Sequence, residues 1–94
     1  MQPFTVFLDE MQDTNRPESA PTYQVAVAPF SQNSSSTMAM GTRRYSSREH
    51  FIHDLRTRLG CTDGAITRFF ADPNKYSVWV NHPLSVENAA YFGW

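Results

Sequence analysis

Apolar residues recur most regularly between Ser46 and Gly60, in the run SSREHFIHDLRTRLG. Phe51, Ile52, Leu55 and Leu59 follow helical spacing, which predicts one apolar stripe toward a core and places His50, His53 and Asp54 toward water. Ser46 or Ser47 supplies an N-cap oxygen, and Glu49, three residues after Ser46, completes a capping box. Arg56 and Arg58 suit the negative end of the helix dipole, and Gly60 supplies the left-handed residue that stops it.

Elsewhere the period is two. Phe4, Val6 and Leu8 alternate with Thr5, Phe7 and Asp9, predicting a strand over about residues 3–9, with Phe7 implying that its second face is partly covered too, a helix being one candidate for the cover. Tyr23, Val25 and Val27 alternate with Gln24, Ala26 and Ala28 in a second strand, which Pro29 limits. Residues 10–21 and 31–42 are polar or of low complexity and are expected to be flexible loops, with Met38 and Met40 as apolar latches in the second.

After Gly60 two readings compete. In the first, residues 65–70 form a strand, the DPN of Asp72–Asn74 turns the chain, and residues 76–81 pair back as a hairpin. In the second, Thr62 caps a short helix that ends near Phe70 and carries Gly64 as a defect in its first turn. The hairpin is the expected form, because both runs favour strands and the glycine weakens the helix. At the end, Ser85 caps a short helix containing Val86, Ala89, Ala90 and Phe92. The expected class is α+β: a small, mostly antiparallel sheet packed with one main helix and a short C-terminal helix, in the order β-β-α-β-β-α.

Composition narrows the functions. Ninety-four residues form one domain with a modest core, for which seven Phe, four Tyr and two Trp supply much of the apolar area. The net charge of −1 conceals an acidic residues 1–20, net −3, and a basic stretch from Arg43 to Lys75, net +3. The single cysteine, Cys61, excludes an intrachain disulfide framework. The opening MQPFTVFLDEMQD lacks the features of a signal peptide, and no run approaches the ~20 apolar residues that span a bilayer, so a soluble, cytoplasmic protein without a membrane partner is expected.

Catalytic signatures are absent from the sequence: there is no glycine-rich phosphate loop, no dinucleotide fingerprint, no HExxH and no nucleophile elbow. Glu49, His50, His53 and Asp54 are the densest set of metal or acid/base groups, yet they occupy one polar helix face and lack a clear third element apart from remote His82. No catalytic residue, cofactor or metal is therefore assigned. The leading expectation is a noncatalytic protein-interaction or regulatory domain that meets another protein or itself, with Trp79, Tyr91, Phe92 and Trp94 as interface anchors. The alternative is nucleic-acid binding by a helix-turn-helix over residues 47–70, with Arg43, Arg44, Arg48 and Arg68 meeting the phosphates or the groove.

Overall fold

A computed structural model describes residues 1–16, 18–30 and 40–94. Its elements are β1 (Gln2–Met11), β2 (Thr22–Pro29), β3 (Gly41–Tyr45), α1 (Arg48–Thr57), α2 (Asp63–Ala71), β4 (Tyr76–Leu84) and α3 (Val86–Tyr91). The four strands form one antiparallel sheet in the order β3-β2-β1-β4. All three helices contribute to a single core on one side of it, in which Phe4, Val6, Leu8, Val25 and Val27 meet Phe51, Leu55, Ile66, Phe69 and Phe92. Each such side chain, fully withdrawn from water, contributes roughly 1.5–3 kcal/mol before conformational entropy is subtracted.

The α+β class and the antiparallel sheet follow the expectation, while the element order is β-β-β-α-α-β-α. Two corrections account for the difference. Residues 63–71 are helix: Thr62 Oγ1 accepts from the Ala65 amide at 3.2 Å, and Ile66, Phe69 and Phe70 fall on the core side. The penalty of Gly64, about 1 kcal/mol at most in this first turn, is outweighed by the Thr62 cap and the burial of Ile66 and Phe69, and the DPN sequence ends this helix instead of joining two strands. Asp72 Oδ1 accepts from the Asn74 amide at 2.9 Å, and the chain then leaves through Lys75 at φ 48°.

The second correction is β3. Residues 41–45 pair with β2 although Arg43 points to the core side of the sheet, a polar interruption that hides the period of two. The loop expected over 31–42 therefore ends before Gly41, and its part over 31–39, including Met38, lies outside the described residues. Met40 is half exposed. The connection expected over 10–21 is likewise shorter, because β1 continues through Met11.

α1 matches its expected stripe, with Phe51, Leu55 and Leu59 buried and Ile52 packed at the margin. Its cap is Ser47, whose Oγ accepts from the His50 amide at 3.2 Å, so Ser46 and Glu49 do not form the expected box. Gly60, at φ 68°, turns the chain so that the Cys61 amide reaches the Leu55 carbonyl at 2.9 Å. His50 and His53 are exposed as expected, but Asp54 is buried, with 3% of its surface accessible.

Gly41 is fixed by a close approach. A β-carbon there would run into the backbone of Trp94 and Gly93, which return from α3 against the start of β3. Among the described residues no helix is long and apolar enough to cross a membrane.

Candidate functional site

Two features stand out: a buried polar cluster on the helical side, and the opposite face of the sheet. The cluster centres on Asp54. Its Oδ2 accepts from the Tyr45 hydroxyl at 2.7 Å and from the Tyr91 hydroxyl at 2.8 Å. Arg43 Nε lies 3.9 Å and His50 Nε2 3.7 Å from the same oxygen. The Arg43 guanidinium also stacks 4.2 Å from the Tyr91 ring, against which Arg58 packs at 4.1 Å. One carboxyl oxygen thus joins β3, α1 and α3.

Burial, then the bond to Asp54, pushes the Tyr45 phenol far above its ordinary value of 10.0. The bond to Asp54, then burial, raises Tyr91 as well. Both phenols are held as neutral donors, which makes the cluster a clasp for the strand and the two helices. Among the described residues no cysteine or serine side chain bonds to it, and Tyr91 helps to cover the carboxyl.

Other groups with chemical potential are also engaged. Burial pushes the Cys61 thiol up to about 12, so it stays protonated and is no nucleophile at neutral pH. A β-bulge sets two residues, Val80 and Asn81, against Thr5, with Asn81 at φ 56°, and turns His82 back toward the core side. There a His82 ring nitrogen donates to the Leu59 carbonyl at 2.8 Å. Thr57, Arg58, His82, Ser85 and Asn88 line an open cleft of about 360 Å³, where Arg58 donates to Asn88 at 3.3 Å. Among the described residues no three His, Cys, Asp or Glu side chains converge as metal ligands.

The residues expected to form an interface lie in different surroundings. Phe92 is fully buried and has no surface for a partner. Trp79 is half-buried beside His82, Tyr91 closes the Asp54 cluster, and Trp94 is 43% exposed while meeting Phe4 edge-on at 5.2 Å. The arginines are dispersed too. Arg43 belongs to the Asp54 cluster, Arg48 lies 4.1 Å over Phe70, and Arg68 is exposed on α2. Arg44 is on the other side of the sheet, where its Nε donates to Gln24 Oε1 at 3.1 Å. α1 and α2 are consecutive helices, as a helix-turn-helix requires, but the exposed side of α2 offers Arg68 together with Asp63, which already pairs with Arg56 at 2.9 Å.

The far face of the sheet carries no helix or strand among the described residues, yet Phe7 is half-buried and Ala26 3% exposed on it, in keeping with a partly covered second face. Its middle row runs Val78–Phe7–Ala26–Thr42 across all four strands. Val78 is 43%, Tyr76 45% and Val80 64% exposed, the last thrust outward next to the bulge. The sequence signal for this face was the apolar content of both sides of β4, Tyr76, Val78 and Val80 on one and Trp79 on the other. Periodicity could not say which side would be covered. Compared with known family models, with curated proteins and with solved structures, the chain has no significant match.

Proposed function

We propose that this is a noncatalytic, cytoplasmic protein-interaction domain that docks through the open face of its sheet. The observation carrying this reading is the exposed apolar margin Tyr76, Val78 and Val80 on β4, continuous with half-buried Phe7 on β1, on a face with no covering element among the described residues. Exposed, contiguous apolar surface rimmed by polar groups is characteristic of interaction sites, and Gln24, Arg44 and Asp9 form such a rim here. The helical side serves as the support: its core and the Asp54 clasp tie the sheet to the helices. The interface reading accordingly moves from the C-terminal rings to β1, β2 and β4.

The test compares the wild-type chain with Val78→Asp, both immobilised and exposed to native extract. Retention of a partner by the wild type and its loss in the variant is the expected result. Identical retention by a variant with an unchanged circular dichroism spectrum would remove this face from the proposal. A nucleic-acid reading keeps one favourable observation, the consecutive helices α1 and α2. It requires duplex binding that weakens with salt and with Arg68→Ala, and its absence in a mobility-shift titration would eliminate it.

A further inference from the structure

The open face is self-complementary, and we propose that its occupant is a second copy of this chain, packed sheet against sheet about a two-fold axis that runs parallel to the strands between β1 and β2. This deepens the interaction reading and rests on it. Beside the apolar row runs a polar one, Arg44–Gln24–Asp9–Tyr76 in order from β3 to β4. The proposed axis exchanges β3 with β4 and β2 with β1. Arg44 of one copy then lies over Tyr76 of the other, and Gln24 over Asp9.

Both juxtapositions match chemically. The Arg44 guanidinium can stack on the Tyr76 ring and reach the neighbouring Asp9 of the second copy. Gln24 already uses its Oε1 to accept from Arg44, so its amide nitrogen remains to donate to that Asp9 carboxyl. Within one copy Asp9 has no ion-pair partner among the described residues. In the apolar row the same operation sets half-buried Phe7 above Ala26, itself only 3% exposed, so the accessible contact there comes from Val78, which lies over Thr42 of the second copy. A two-fold axis perpendicular to the strands would instead set Asp9 over Thr5 and Tyr76 over Val80, leaving the charges unmatched. Charge therefore selects the first arrangement.

The β4 edge offers a poorer route. β4 is an edge strand, but its ladder is broken by the bulge at Val80–Asn81 and by Pro83, devices that oppose strand addition. Four strands ~4.8 Å apart and eight paired positions along β1 give a footprint of roughly 500 Å² per copy. That is the low end for a specific interface, so the dimer should be reversible and concentration-dependent.

Sedimentation velocity of the full chain from about 5 to about 500 µM tests this. The wild type should move from monomer to dimer, and Val78→Asp, which alters an exposed position, should remain monomeric with an unchanged urea midpoint. Asp9→Arg and Arg44→Glu should each weaken self-association at least about tenfold through like-charge contact across the axis. Mixed together, the two variants should form a heterodimer, because every Arg then faces an acid. Wild type that stays monomeric, Val78→Asp that still dimerises, or mixed variants that fail to associate would overturn the dimer. If the wild type is monomeric yet Val78→Asp loses a partner held by the wild type, only the identity of the occupant falls. If that loss is also absent, the interaction reading falls with it.

Discussion

Replacing Asp54 by alanine removes the oxygen that accepts from both Tyr45 and Tyr91, a perturbation in which the sequence and the structure demand opposite outcomes. On a solvent-facing helical surface the change would cost less than about 0.5 kcal/mol. In the structure Tyr45 is 3% exposed, so its hydroxyl would be stranded away from water, at a cost of about 1–3 kcal/mol. Loss of a hydrogen bond to a carboxylate and of the partner for half-buried Arg43 brings the expected total to about 3 kcal/mol. For a domain of this size that lowers Tm by roughly 12–24 °C.

Urea unfolding followed by tryptophan fluorescence measures this loss directly. Asp54→Asn separates position from charge. Both hydroxyls bond the same oxygen, so an amide oxygen placed there keeps both bonds, and this variant should lose less than half as much as alanine. A double-mutant cycle between Asp54→Ala and Tyr45→Phe should show coupling of about 1 kcal/mol or more. A loss below about 0.5 kcal/mol for Asp54→Ala, or equal losses for alanine and asparagine, would refute the clasp.

Gly41→Ala should destabilise by at least about 1–3 kcal/mol in the same assay, since the added carbon meets backbone that cannot rotate away; a neutral effect would show that the C-terminal turn does not sit against β3. Leu55→Ala should cost about 2–5 kcal/mol and His53→Ala less than about 0.5, and a larger loss for His53 would reverse the assigned face of α1. Stability should fall in alkali in two stages. The folded thiol of Cys61 binds its proton more tightly than the unfolded one, so its contribution is complete below pH 9.0 and is lost as pH rises toward about 12. Tyr45 and Tyr91 add to the fall only above pH 10.0. Urea midpoints from pH 8 to 11 should show the first stage vanish in Cys61→Ala and the second shrink in Tyr45→Phe; unchanged profiles would contradict the burial of these groups.

Local spacing and capping chemistry were enough to determine β1, β2, α1 and the cap of α3 from the sequence, because each signal lies within a few residues of its effect. The apolar stripe of α1 is one example, and Ser85, whose Oγ accepts from the Asn88 amide at 3.1 Å, is another. The stretch over 63–71 failed because Ile66, Phe69 and Phe70 fit either period, and the decision lay with the partner of β4. That partner is β1, reached by carrying the chain from one edge of the sheet to the other through α1 and α2. β3 was concealed by Arg43, whose inward position is tolerable only because Asp54 and Tyr91, distant in sequence, meet it there. The same long-range closure buried Asp54, and the gathering of all three helices on one side left Phe7 and Val78 on the other. Spacing along the chain dictates which residues share a face; which face is covered, and which charge finds a partner, depends on contacts that only the folded chain creates.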